Sequence, residues 1–162
     1  MPYLLDSNVF IQAKQLHYAM DFCPAFWDWL IRQNAQKRVF SIEKVGDELK
    51  AGTDALSDWA HKRDDEFFLP PDEKVLRALT ATSNWVKNQK YRAAAMNTFF
   101  QDADYYLVAH AQAHGYTVVT HEVVGDGIKR MKIPEVCIGL KVKTVSPFQM
   151  LRSERARFVL GQ

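Results

Sequence analysis

The 162-residue sequence lacks most of the short motifs by which enzyme classes are recognised. It has no Gly-rich phosphate-binding loop, no HExxH and no GxSxG, which argues against nucleotide-binding, zinc-peptidase and serine-hydrolase chemistry. It has only two cysteines, Cys23 and Cys137, and they share no metal-ligand spacing. We therefore expect two free, buried thiols of a reducing compartment, and neither a disulfide nor a zinc site.

A strong charge of either sign and a long apolar run are also missing. The formal net charge is +2, so no global basic field marks a nucleic-acid binder, and a polyanion site would need a local basic patch or bound cations. The N-terminal segment MPYLLDSNVFI has no basic leader and soon reaches Asp6, which argues against a signal peptide or a membrane span. We therefore expect a cytoplasmic protein with no membrane partner.

What the sequence does contain is an ordinary globular composition with short apolar runs between helical patterns. Hydrophobic residues make up 48% and charged residues 25%, which predicts one domain over residues 1–162. The alternation predicts an α/β fold, a parallel sheet with helices on both faces. Strands are expected at 2–5, 39–41 and 116–120, with further strand pieces in 136–146. Helices are expected at about 22–36, 43–52, 53–66, 72–85 and 103–114 and after Pro147, and a loop with a helical turn at 87–100.

Four acidic residues fall where such a sheet would gather them. Asp6 follows the first strand, Glu122 follows the strand YTVVT, Asp104 lies in the first turn of the helix before that strand, and Glu48 lies in the helix after the second strand. Ligands of open parallel sheets bind at the carboxyl ends of the strands. Because clustered carboxylates repel one another, such a group predicts a site for Mg²⁺ or Mn²⁺.

Each acid taken alone has a simpler explanation. Asp6 could cap the next helix, Asp104 could satisfy the helix dipole, and Glu48 could be a solvated helix residue like its neighbours. Glu122 alone is uninformative. The prediction of a metal site therefore depends on the combination of the four residues.

The same residues carry a resemblance to the PIN-domain nucleases. YLLDSNVFI resembles the family's opening strand and aspartate, EKVGDELKAG its second acidic element, and DADYYLVAHAQAHGYTVVTHE its third and fourth elements. KIPEVCIGLKVKTVSPFQML resembles the closing segment of the toxin-type, VapC-like branch. No single motif is specific, but the ordered set spans nearly the whole chain.

This resemblance implies a three-layer α/β/α PIN-like fold with a central parallel sheet, and Mg²⁺- or Mn²⁺-dependent hydrolysis of RNA. Asp6, Glu48, Asp104 and Glu122 match the acidic, metal-binding and catalytic positions. Thr120 and Asn8 match polar positions that support them. The fourth acid is a glutamate where the family more often has aspartate, so Asp126 is an alternative to Glu122.

The resemblance also implies partners: an RNA substrate, an antitoxin protein and a second copy of the chain as a homodimer. Lys129, Arg130 and Lys132 follow the fourth acid and are the predicted contacts to the RNA backbone, although a solvated loop would look the same. His121 is a candidate RNA contact, and the basic C-terminal stretch RSERARF is either an RNA-binding or a surface segment. Two alternatives to a nuclease remain: a PIN-like module that binds RNA or protein without cutting, and a hydrolase of small phosphate esters.

Overall fold

The computed structural model describes residues 1–125 and 131–161. Its centre is a five-stranded, entirely parallel sheet in the order β3-β2-β1-β4-β5. The strands are β1 (Tyr3–Leu5), β2 (Val39–Ile42), β3 (Phe68–Leu69), β4 (Thr117–Val119) and β5 (Thr144–Val145). Every residue of β1, β2 and β4 is buried, as expected for strands covered on both faces.

The helices that flank the sheet form two groups. The first group comes from the N-terminal part of the chain and consists of α1 (Ser7–Gln12), α2 (Pro24–Ala35), α3 (Glu43–Lys50) and α4 (Ala55–His61). The second group is α5 (Glu73–Lys87), α6 (Ala93–Gln101), α7 (Ala103–His114) and α8 (Ile133–Leu140), which pack on one another, and α9 (Pro147–Ser153) follows β5. The predicted class, helices around a central parallel sheet, is confirmed.

The strand order fixes the place of the site. From β1 the chain moves to β2 and β3 on one side and later to β4 and β5 on the other. Connections therefore leave β1 and β4 in opposite directions, and a crevice opens between their carboxyl ends. Asp6 follows β1 and Thr120 follows β4, so both residues lie at this crevice.

Three local features differ from the prediction. The segment 87–100, expected as a loop with a helical turn, contains most of α6, whose buried residues Ala95 and Phe99 have i,i+4 helical spacing. Of the strand pieces expected in 136–146, the two-residue β5 is confirmed, whereas the first part of that stretch belongs to α8. Strand β3 was not predicted at all, because two residues are too short for a periodic signal.

The first helix continues in an irregular form. After α1 the backbone widens into a π-helical segment, Ala13–His17, a geometry that is often found near functional sites. His17 is its last residue, and its side chain is exposed. In the parts of the chain that the structure describes, no helix is long and apolar enough to cross a membrane.

Candidate active site

Asp6 lies at the centre of the crevice, with only 3% of its surface exposed. It occupies the N-cap position of α1, yet its carboxylate makes no capping hydrogen bond to that helix. Instead its Oδ2 accepts a hydrogen bond from Thr120 Oγ1 at 2.8 Å. The simpler explanation of Asp6 as a helix cap therefore does not hold, and the carboxylate points toward the end of β4.

Thr120 and Asn8 hold the turn after β4 against α1. Besides donating to Asp6, Thr120 Oγ1 accepts a hydrogen bond from the backbone N–H of Glu122 at 3.1 Å. The Asn8 amide donates to Thr120 Oγ1 at 3.4 Å, and its Oδ1 accepts from the His121 N–H at 3.3 Å. Both residues thus lie where a supporting role requires them, and that role stays a prediction.

Asp6 and Asp104 each have neighbouring acids that change their protonation. Burial raises the pKa of Asp6 to about 6, and the charges of Glu122 and Glu48 add to this effect against the Thr120 hydrogen bond. Burial likewise raises the pKa of Asp104 to about 8, helped by Asp6, Glu122, Asp102 and Glu48. The four predicted acids therefore share one electrostatic environment.

Glu122 is anchored at the start of α8. Its Oε2 accepts a hydrogen bond from the backbone N–H of Ile133 at 2.9 Å, the first residue of that helix. Lys132 is the N-cap residue of α8. Lys129, Arg130 and the alternative acid Asp126 lie outside the described residues, so their predicted roles stay predictions.

An open cavity of about 270 Å³ lies beside Glu48. It runs between α3 and the α6–α7 junction and is lined by Lys44, Asp47, Glu48, Gln101, Asp102 and Ala103. Lys44 supplies the basic group of this lining, and its Nζ lies 4.3 Å from the centre of the Tyr106 ring. No sequence pattern predicts this cavity, because its lining combines residues about 50 positions apart.

Cys137, which was not predicted to lie near the site, is a free thiol at 0% exposure. Burial raises its pKa to about 12, and the charges of Asp104, Asp6 and Glu122 contribute. The thiol therefore lies close enough to the carboxylates for their charges to act on it, and it stays protonated at neutral pH. Its burial agrees with the expectation for Cys137, whereas Cys23 is only partly buried.

The chemistry of these donors suits a hard divalent cation. Within residues 1–125 and 131–161, none of the ion pairs neutralises Asp6 or Asp104, and buried carboxylates of like charge are costly without a cation. Across the same residues, however, no three His, Cys, Asp or Glu side chains converge closely enough to form a ligand shell. The charges of the acids therefore affect the pKa values of Asp6 and Asp104, but the side chains do not meet at one point.

Comparison with known proteins assigns the chain to a family. The model of a family described as "Domain of unknown function (DUF4411)" matches residues 3–158. The chain belongs to this family. No curated protein matches the chain.

Two solved structures resemble the fold of this DUF4411 member. One is the crystal structure of FitAcB from Neisseria gonorrhoeae, at 21% identity and a TM-score of 0.55, covering 90% of this chain and 98% of that one. The other is the structure of FitAB bound to an IR36 DNA fragment, at 19% identity and a TM-score of 0.55, covering 90% and 95%. At such identities the likeness concerns the fold, and it confirms the predicted PIN-like class.

Proposed function

We propose that this protein is a Mg²⁺- or Mn²⁺-dependent endoribonuclease that hydrolyses RNA phosphodiester bonds. The observation that supports the proposal best is the shared environment of Asp6 and Asp104, whose pKa values are raised by burial and by the neighbouring acids. Perturbed acids in a cleft at a topological switch point are typical of functional sites. The resemblance of the four acidic elements to PIN nucleases supplies the reaction class.

In this proposal Asp6, Glu48, Asp104 and Glu122 hold the cation. When bound, the cation supplies a Lewis acid that offsets charge on the phosphodiester and makes water a better nucleophile. Thr120 orients the Asp6 carboxylate through its hydrogen bond, and the N-terminal N–H of α8 fixes Glu122. Asn8 holds the turn that carries Thr120 and Glu122 in place.

The test is cleavage of a mixed RNA pool by the purified protein with Mg²⁺ or Mn²⁺. Asp6→Asn, Asp104→Asn and added EDTA should each abolish cleavage, whereas Asp58→Asn, which changes an exposed acid on α4, should not. Cation binding is measured in parallel by calorimetry on the wild type and both site variants. Cleavage that persists in the Asp6→Asn/Asp104→Asn double variant would contradict the proposal.

A second candidate function is an RNA- or protein-binding PIN-like module with weak or no catalysis. Two observations favour it: the described acids do not converge on one point, and Glu122 is engaged by the α8 backbone. In that case RNA or protein binding would survive EDTA, Asp104→Asn would leave it unchanged, and the wild type would cut no RNA with either cation.

We also propose that the protein acts as the toxin of a toxin–antitoxin pair, with an antitoxin as protein partner. The support is the VapC-like closing segment, which corresponds to α8, β5 and α9, and the PIN-like fold. Induced expression should arrest growth of a bacterial host, and Asp6→Asn should relieve the arrest. Normal growth at a confirmed high level of folded wild-type protein would count against a toxin.

A further inference from the structure

Three aromatic rings meet beside the carboxylates, at the surface. The His17 and His121 rings are stacked, with centroids 5.6 Å apart. Phe148, the second residue of α9, contacts both edge-on, at 5.2 Å from His17 and 5.7 Å from His121. His17 is exposed, and His121 and Phe148 are half-buried. The three residues, here called the ring cluster, come from three separate parts of the chain.

The ring cluster is connected to Asp6 by a series of three hydrogen bonds. The backbone N–H of His121 donates to Asn8, the Asn8 amide donates to Thr120, and the Thr120 hydroxyl donates to Asp6. His121 also directly precedes Glu122. A chain whose phosphodiester lies at the carboxylates therefore has its neighbouring nucleotides within reach of the ring cluster.

Beyond Phe148 the surface becomes a groove with a basic border. A cavity of about 200 Å³ is lined by Tyr18, Phe148, Leu151, Arg152, Ala156 and Phe158. Arg152, Arg155 and Arg157 are all exposed along this C-terminal stretch. The neighbouring Glu154 is already paired with Arg38, so it does not cancel this positive charge.

We propose that the ring cluster is a stacking platform for unpaired bases of single-stranded RNA next to the cleaved bond, with Arg152 contacting the RNA backbone. The inference rests on the proposed nuclease function and names its substrate class. Aromatic faces beside cationic side chains are the usual means of binding single strands, since every base has a π-face. Bases in a duplex are already stacked and cannot use such a platform.

A protein partner fits this surface less well. Two of the three rings are imidazoles, which offer little apolar area, and the adjoining border carries three arginines. The hot spots of protein interfaces are typically Trp, Tyr and Arg side chains in well-packed pockets, and the two imidazoles of the ring cluster are not of that kind. The charge pattern, positive along α9 and its C-terminal extension, complements a polyphosphate chain.

The experiment measures binding of a short fluorescein-labelled single-stranded RNA by anisotropy in EDTA, so that no cleavage occurs. Phe148→Ala and His17→Ala should each weaken binding about 10-fold, as loss of a stacking contact does, and Arg152→Gln should weaken it and reduce its salt dependence. Phe148→Leu keeps apolar volume without a π-face and should also lose affinity while remaining folded. Leu76→Ala and Arg77→Gln are the matched controls, exposed residues on α5, which packs with α6, α7 and α8.

Several results would overturn the platform. These are unchanged affinity in Phe148→Leu and His17→Ala, equal binding of the same RNA as a duplex, or no binding by the wild type at low salt. The nuclease proposal fails separately: Asp6→Asn should keep its RNA affinity and lose cleavage. If the platform variants lose RNA affinity but the wild-type protein never cleaves RNA, the platform proposal stands and only the nuclease proposal fails.

Discussion

At the scale of single residues, the Thr120 hydroxyl both donates and accepts hydrogen bonds. It donates to the buried Asp6 carboxylate and accepts from the Glu122 N–H. It is itself only 3% exposed, so water is poorly placed to replace it. A single oxygen atom therefore connects the ends of β1 and β4 and orients the first and fourth acids.

Replacing Thr120 tests this connection. Thr120→Val keeps the shape but leaves a buried carboxylate with one partner fewer, so we expect a loss of about 1–3 kcal/mol in the free energy of unfolding. Thr120→Ser keeps the hydroxyl and should lose clearly less. Urea denaturation at neutral pH measures both. A loss in Thr120→Ser as large as that in Thr120→Val, which keeps a methyl group but has no hydroxyl, would contradict a dominant role of the hydrogen bond.

A second residue-scale prediction concerns the protonation of Asp104. Its folded-state pKa is raised from 3.8 to about 8, so the folded protein binds more protons than the unfolded chain between these values. The contribution of Asp104 therefore destabilises the fold increasingly as pH rises through that window. Without divalent cations, Asp104→Asn should be more stable than the wild type at pH 8, by roughly 1–3 kcal/mol after discounting for partial exposure.

The quantity to measure is the difference in the free energy of unfolding between the wild type and Asp104→Asn. Burial lowers the pKa of His110 to about 4, which changes stability with pH in the opposite sense. As pH falls below 6.5 the unfolded chain binds this proton first, so the free energy of unfolding decreases. That slope is common to both proteins and cancels in the comparison. Chemical denaturation in EDTA at a series of pH values gives the difference. A gap that stays constant from pH 5 to pH 8 would show that Asp104 is not titrating as described.

At the scale of elements, α3 places Glu48 by packing closely against the edge of the sheet. A Cβ atom on Gly46 would lie 2.8 Å from Phe68 Cγ, and Phe68 is buried in β3. Only glycine permits this approach. Gly46→Ala should cost about 1–3 kcal/mol of stability through overpacking, although alanine is the better helix former.

The control for this prediction is Gly52→Ala, where the nearest atoms lie at an ordinary 3.6 Å. Adding Phe68→Leu to Gly46→Ala should recover part of the loss, because the smaller side chain makes room. Thermal and urea denaturation of the wild type, Gly46→Ala, Phe68→Leu and the double variant complete the double-mutant cycle. Additive costs would show that Gly46 and Phe68 do not restrict each other.

The elements also show why sequence patterns succeeded or failed. Asp72 was correctly placed as the start of α5, since a cap followed by an amphipathic run is a local signal, and its side chain accepts from the Val75 N–H. The run VCIGLKVKTV favours a strand by its β-branched residues. Yet α8 buries Ile133, Val136 and Cys137, at i, i+3 and i+4. Packing against α5 and α7 outweighed local propensity there.

At the scale of the whole molecule, the acids come from the residue after β1, from α3 and α7, and from the segment after β4. The order of acidic elements along the chain predicted these residues, because parallel strands bring their carboxyl ends to one edge. The ring cluster was not predicted. His17 and Phe148 lie on opposite ends of the sequence and approach His121 only once the sheet is formed. Side-chain proximity of that kind leaves no local pattern.

Because the proposed cation site is built from elements far apart in the sequence, cation binding there would be linked to global unfolding. A ligand that binds only the folded state stabilises it by about 2.7 kcal/mol at a concentration 100 times its Kd. Mn²⁺ or Mg²⁺ should therefore raise the unfolding midpoint of the wild type, and Asp6→Asn/Asp104→Asn should show no such rise. Asp58→Asn, at an exposed position of α4, should respond like the wild type.

The size of the rise in the unfolding midpoint and its dependence on cation concentration show whether the cation binds at the four acids. Binding at the four acids gives a midpoint that increases with the logarithm of cation concentration above Kd, whereas general screening of surface charge would act on all three proteins alike and would be reproduced by Na⁺ at equal ionic strength. A rise of equal size in the double variant would place the cation elsewhere on the molecule. The carboxylates around Asp6 would then be a polar feature of the core without the proposed metal chemistry.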